Sequence, residues 1–321
     1  MSTADTPTAR PSLEAAGSGR ALYERGIHAA LVVCAALSVA TTVGIVAVLL
    51  LESLQFFGDT YTDPEGNEKT ITLFGFLTGT KWTPLFFDKH YGILPLMCGT
   101  LLVTGGALLV ATPIGLGTAI YLSEYASPRL RATVKPVLEV LAGIPSVVYG
   151  VVAVTTISPI IKGFFQSDSI FNAASASIVV GFMILPMVVS LSEDVLRSVP
   201  RALREAAYAL GATKFDVTVK VVVPAALSGI VASVLLAASR AIGETMAVTL
   251  AAGGQPKMTL NPLESIQTMT AYIVQVSSGD TPSGTPEYRT IFAVGLTLFI
   301  STLLLNVLAQ MIVSRMREQY E

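Results

Sequence analysis

The residues best placed to do chemistry are Arg240 and Glu244, four apart in the apolar stretch Ser239-Arg240-Ala241-Ile242-Gly243-Glu244-Thr245-Met246-Ala247-Val248. Inside a hydrophobic run a charged side chain costs about 2.5–3.5 kcal/mol or more on insertion scales. At i and i+4 on a helix the two share a face and can pair, with the basic residue first, the order that opposes the helix dipole. The same face carries Gly229, Ser233, Ala237, Ala247 and Ala251, small side chains that permit close helix contact or leave room for a path. Two readings stand at this point. Arg240 lowers the barrier for an anion that Glu244 holds or gates, or the two form a buried ion pair that orients helices.

Covalent chemistry finds no support in the sequence. The histidines, His28 and His90, fall at the edge of an apolar run and in a loop, so no metal cluster or nucleophile–histidine–acid set assembles. Gly211-Ala212-Thr213-Lys214 lacks the first glycine and the Lys-Ser/Thr pair of a phosphate-binding loop. Any uphill transport must therefore draw on an ion gradient or on a partner. Cys34 and Cys98 lie in apolar runs and imply no disulfide framework. Glu52 and Glu139 sit near the ends of apolar runs, where they can snorkel.

The elements that position such a pair must cross a bilayer. The 321 residues are 52% hydrophobic and only 13% charged, against roughly 25% in soluble domains. Six apolar stretches reach spanning length: Ile27–Leu51, Leu96–Leu122, Val134–Ile161, Ala173–Ser192, Ala226–Ala252 and Ile291–Val313. Pro113, Pro145 and Pro186 read as kinks inside a bundle. The expected class is an all-α polytopic helical bundle. Its divisions are an N-terminal tail over 1–26 with a short helix near Leu13–Arg25, a first span over 27–51, and an outer segment over 52–94. A core of five further spans over 95–313 follows, including a loop over 193–225, and then a C-terminal tail over 314–321.

Basic residues orient the bundle. With both termini cytoplasmic, that side holds Arg10, Arg20, Arg25, Arg129, Arg131, Lys135, the group Arg197, Arg201, Arg204, Lys214 and Lys220, and Arg315 and Arg317. They outnumber Lys69, Lys81, Lys89, Lys162, Lys257 and Arg289 on the outer side about two to one, the expected bias. The outer segment has a turn at Asp63-Pro64-Glu65-Gly66-Asn67, then Trp82, Phe86, Phe87 and Tyr91, aromatics expected near the membrane interface. A second outer segment over 253–290 ends in the turn-forming run from Ser278 to Gly284. Neither leaves room for a soluble domain.

Between the fourth and fifth spans, Pro200 suits a helix start, Gly211 can end or bend that helix, and a second short helix from Lys214 to Val223 stops at Pro224. Two such helices form either a docking element or an amphipathic surface on anionic lipid. Glu205-Ala206-Ala207, Gly211 three residues on, and Val221, Val223 and Pro224 after nine more resemble the EAA loop of binding-protein-dependent ABC importer permeases. Valines stand where that pattern has isoleucine and leucine, which keeps bulk and apolarity.

Two further segments, Leu141-Ala142-Gly143-Ile144-Pro145-Ser146-Val147-Val148-Tyr149-Gly150 and Ser239 to Met246, are similar to the phosphate importer permeases, PstC and PstA. Thr245-Met246-Ala247-Val248, with Phe76-Leu77-Thr78-Gly79-Thr80-Lys81-Trp82 before Tyr91-Gly92, resembles the PstC type. The resemblance runs from about Phe74 to the C-terminus. It implies a type I importer permease fold in the bacterial inner membrane and a heterodimer with a PstA-like permease. It also implies a PstB-like ATPase dimer that uses the ATP and Mg, and a PstS-like phosphate-binding protein. Arg240 and Glu244 would then serve translocation of inorganic phosphate, and Glu205, Ala206, Ala207, Gly211 and Pro224 the coupling to the ATPase. No cofactor of the chain's own, no enzymatic activity and no nucleic acid partner is expected. The competing expectations are a permease for sulfate or molybdate, a gradient-driven anion carrier, and a protein concerned chiefly with phosphate signalling.

Overall fold

The computed structural model describes residues 18–62, 68–166 and 169–316. The Asp63–Asn67 turn and the tail before Ser18 lie outside the described residues. Among the described residues 5 helices are long and apolar enough to cross a membrane, or 6 if one pair bent by 67° counts as a single span. An apolar surface of that extent is stable only against hydrocarbon or protein.

The chain divides into two compact units, Met1–Leu51 and Glu52–Glu321. Helix α1, Ser18–Phe56, supplies the described part of the first and is longer than the span expected over 27–51. Its apolar side chains, among them Leu31, Val39, Ile45 and Leu51, are exposed.

The second unit opens with a small outer cap. Strands β1 (Thr60–Thr62) and β2 (Glu68–Thr70) pair antiparallel, and α2 (Leu73–Thr78) follows, capped by Thr72, whose hydroxyl accepts from the Gly75 N–H. Trp82 and Tyr91 are not interfacial, as the sequence suggests, but buried with Phe56, Phe76 and Tyr272 in one aromatic cluster. Only Phe86 and Phe87 remain exposed. Trp82 meets Tyr272 edge to face with centroids 4.9 Å apart, a contact worth about 0.5–1.5 kcal/mol beyond its burial. Two ion pairs fasten the cap to the last helix: Arg289 to Asp59 at 2.7 Å and Lys89 to Glu287 at 2.5 Å. Glu52 lies 3.8 Å from Arg289, which gives it a structural partner.

The core is built on α3 (Leu94–Ile120) and α7 (Ala173–Ser198), with Pro113 and Pro186 inside continuous helices. Their shared face is small and branched: Val103, Ala107 and Ala111 against Ala176, Val180 and Ile184. Without a hydrophobic force between helices in lipid, such side chains gain van der Waals contact by close approach. After α3 a π turn, Tyr121–Tyr125, leads out of the span.

The expected third span over Val134–Ile161 is two elements. Helix α4, Pro128–Ala142, is capped by Ser127 and ends at Gly143. Pro145 then starts α5 (Ser146–Val152), which continues through a π turn, Ala153–Ile157, into α6 (Ser158–Phe165). Pro145 is therefore a boundary, not a kink, because its ring disfavours helical geometry at Ile144.

The loop after α7 holds α8 (Arg201–Ala209), α9 (Lys214–Val217), a π turn at Thr218–Val222 and α10 (Val223–Ala225). Pro224 does not stop this stretch. It lacks the N–H that would bond Lys220, the ladder widens to Val223 N–H→Thr218 O, and the chain turns at Ala226 (φ −87°, ψ −3°). Helix α11, Leu227–Ile242, leaves that turn at 67° to Lys214–Ala225. The fifth span expected over Ala226–Ala252 thus ends early, and α12 (Met246–Ala251) is separate. Helix α13, Met269–Ser278, unexpected in the second outer segment, precedes α14, Pro286–Met316.

Candidate functional site

Helix α11 stops because Gly243 adopts φ −83°, ψ 0° and the chain leaves helical register before Met246. Arg240 and Glu244 are therefore not on one continuous helix, as the sequence suggests. Arg240 occupies the last turn of α11, where the carbonyl end of the helix favours a cation, so the order of the pair carries no dipole penalty. Glu244 sits in the break. Its Oε2 lies 3.0 Å from Arg240 Nη1, its Oε1 accepts from the Ala247 N–H at 3.3 Å, and its backbone carbonyl accepts from Thr270 Oγ1 at 2.7 Å. The two side chains differ sharply in exposure, 52% for Arg240 and 2% for Glu244. A locked, buried carboxylate thus holds a guanidinium that keeps donors to spare.

Those donors face a cavity of about 320 Å³ between α4 and α7, lined also by Lys135, Glu139, Met183, Met187 and Glu193. The small-residue face of α11 serves packing along its first turns: a Cβ on Gly229 would stand 2.3 Å from Val195 Cγ1, and Ser233 hydrogen-bonds Ser192 at 2.7 Å. Room for a solute opens at the Arg240 end.

The far wall of the cavity is a charge cluster that sequence reasoning missed. Glu193 is fully buried and is bonded by Arg131; Lys135 Nζ lies 2.7 Å from its Oε2 and Arg197 Nη1 3.8 Å from its Oε1. Lys135 also reaches Asp194 Oδ1 at 3.2 Å. The bond to Glu193 holds the Lys135 ammonium above its ordinary 10.5, although burial opposes it. That stabilisation is fully present below the ordinary lysine value and is lost only as pH rises through the raised one, so the cluster stays assembled at physiological pH. Only spacing offered a signal: Glu193 and Arg197 are four apart, as are Arg131 and Lys135.

The second group of expected site residues lies on α8 and the turn after it. Glu205, Ala206, Gly211 and Pro224 are exposed and Ala207 is half-buried. Gly211 has φ +83°; its N–H bonds Tyr208 O at 2.9 Å, and the Ala212 N–H bonds Ala207 O at 3.2 Å. These two bonds form a Schellman cap, which needs a left-handed residue at that position. The cap leaves Leu210 at 90% and Phe215 at 67% exposure, an apolar tip between basic residues. At its base Arg204 donates to Val199 O at 2.7 Å and Leu196 O at 2.8 Å and pairs with Glu124 at 3.1 Å, which pins α8 to the end of α7 and to the π turn after α3. The tip and the Arg240–Glu244 pair lie at opposite ends of the bent segment from Lys214 to Ile242.

Comparison with known proteins decides the family. Residues 111–318 match the model of the binding-protein-dependent transport system inner membrane components. The chain belongs to this family. The permease is 35% identical to the probable ABC transporter permease protein YqgH of Bacillus subtilis, over 88% of each chain. It is 32% identical to the phosphate transport system permease protein PstC of Mesorhizobium japonicum, covering 78% of this chain and 82% of that one. For PstC 1 of Mycobacterium tuberculosis the figures are 34%, 75% and 81%. Among solved structures, an inward-facing MetNI methionine ABC transporter superposes with TM-score 0.52 at 17% identity, over 71% of the permease and 95% of that chain. A bacterial alginate ABC transporter, solved with its alginate-bound periplasmic protein, gives 0.53 at 16%, over 71% and 80%. At such identities the likeness speaks for the fold. Membership makes the chain a multi-pass membrane subunit of an ABC importer, a transport component rather than an enzyme. It works in a complex with a partner permease, an ATPase and a binding protein.

Proposed function

We propose that this permease forms half of the translocation path of an ATP-driven importer of inorganic phosphate, with Arg240 and Glu244 on the path. The observation that carries the reading is the asymmetry of the pair: the carboxylate is buried and fixed while the guanidinium is half-exposed in a cavity. A planar guanidinium can donate two parallel hydrogen bonds to one oxyanion, which suits phosphate. Relatives carrying the name phosphate transport system permease support the same substrate. The partners are a PstA-like permease, a PstB-like ATPase dimer and a PstS-like binding protein, with both termini on the cytoplasmic side of the inner membrane. Glu205, Ala206, Ala207 and Gly211 meet the ATPase, and Pro224 shapes the turn that passes the motion on.

The test is uptake of labelled phosphate by vesicles holding the whole complex, with ATP as the variable. Arg240→Gln is expected to abolish uptake while the complex assembles in normal yield. Uptake near the wild-type rate would return the pair to a purely structural role. Competition by sulfate or molybdate as strong as by unlabelled phosphate would overturn the substrate assignment.

A further inference from the structure

Glu193 has three cations around it, one more than it and Asp194, which shares Lys135, can neutralise. Arg131, Lys135 and Arg197 all converge on it, and none of its surface is exposed. The Arg131 Nε–H is buried and has no hydrogen-bond partner. Glu193 Oε2, which faces Lys135, likewise has no hydrogen-bond partner, so the cluster is held by charge against charge rather than by saturated hydrogen bonds, and a carboxylate held this way is easier to displace than one whose bonds are all made.

The position of the cluster gives that surplus a use. On one side Lys135 and Glu193 line the cavity that contains Arg240. On the other, Arg131 and Arg197 line a second hollow of about 390 Å³ with Arg201, Arg204 and Glu205 on the coupling helix. The Arg131–Glu193 pair therefore separates the Arg240 cavity from an arginine-lined basin at the α8 surface. We infer that Glu193 is a tethered carboxylate occupying an anion station built from Arg131 and Lys135, and that an oxyanion leaving Arg240 reaches the cytoplasmic basin by displacing it. Carboxylate and phosphate oxygens make the same bonds to a guanidinium, so the exchange keeps Arg131 and Lys135 paired throughout. While the Arg131–Glu193 pair stands, it closes the way between the two hollows. The inference rests on the reading of Arg240 as the point where the oxyanion is held.

The experiment is phosphate exchange across proteoliposomes containing the whole complex, without ATP. Glu193→Gln removes the charge and keeps the shape; it is expected to raise passive exchange of labelled phosphate by about tenfold or more, and adding Arg240→Gln is expected to return exchange to background. Unchanged exchange in an assembled Glu193→Gln complex, or an equal rise for a neutral sugar, would overturn the proposal. Should Glu193→Gln fail to assemble, the exchange of Lys135→Glu with Glu193→Lys keeps the two groups paired but moves the tethered charge. A displaceable plug predicts an assembled complex with lost uptake, and a plain helix tether predicts restored uptake, which would overturn the proposal. The single Arg240→Gln variant separates the two claims: if it still takes up phosphate with ATP the site assignment fails, whereas a tight Glu193→Gln with Arg240 essential removes only the plug.

Discussion

A guanidinium offers five N–H donors in one plane, whereas an ammonium offers three with no fixed plane. Arg240→Lys therefore keeps the charge and loses the fork, and phosphate uptake is expected to fall by about tenfold, between the wild type and Arg240→Gln. Initial rates with labelled phosphate check this. Glu244→Gln is the complementary change. Its amide oxygen can still accept from the Ala247 N–H, but Arg240 loses its counter-charge. The expected outcome is a lower KM with a lower kcat, because the freed cation holds the anion longer; unchanged values of both would contradict it. The pair itself was legible, since two charges four apart in an apolar run must meet. The break between them was not, because a single glycine inside a helical pattern is tolerated and Gly243 has no proline or second glycine beside it to mark a stop. Glu193 was illegible for another reason. A carboxylate at the end of a span reads as one reaching for water, and its partners Arg131 and Lys135 lie on a helix that hydropathy had merged into the next span.

Short elements carry the departures from expectation. The α4 boundary was hidden because Val137, Leu138, Val140 and Leu141 continue into the apolar run after Pro145, so a window of spanning length passes over Gly143. The α8–α9 turn was legible down to the residue, because a left-handed cap demands glycine and the sequence supplies it at Gly211. An added Cβ there meets nothing within 4 Å, so backbone conformation alone penalises a substitution. A β-branched residue at φ +83° costs about 1–2 kcal/mol, and asparagine less. Gly211→Val is accordingly expected to weaken co-purification with the ATPase and to reduce binding-protein-stimulated ATP hydrolysis, while Gly211→Asn stays near wild type. Equal behaviour of the two variants would remove the cap from the coupling role.

For the whole molecule, the order of spans came from hydropathy and the outer cap from contacts between distant residues, while the helix breaks came from local chemistry at Pro145, Pro224 and Gly243. The proposed orientation places Glu205 in the cytoplasm. Glu205→Cys, with Cys34 and Cys98 replaced, is expected to react with a membrane-impermeant thiol reagent in inside-out vesicles and not in right-side-out ones; the reverse would invert the topology. One element then acquires a mechanical meaning. The turn at Ala226 is braced by Ala226 N–H→Val222 O at 2.9 Å and Ile230 N–H→Ala226 O at 3.0 Å, and Val222, Ala226 and Ile230 are all buried. Its two arms, from Ala226 to Lys214 and to Arg240, measure about 18 Å and 21 Å at 1.5 Å per residue. A stiff elbow with unequal arms is a bell crank. On this geometry a push at Lys214 would emerge at Arg240 turned through the 67° between the arms and lengthened by about a sixth, so the stiffness of the Val222, Ala226 and Ile230 packing sets how much of the stroke survives.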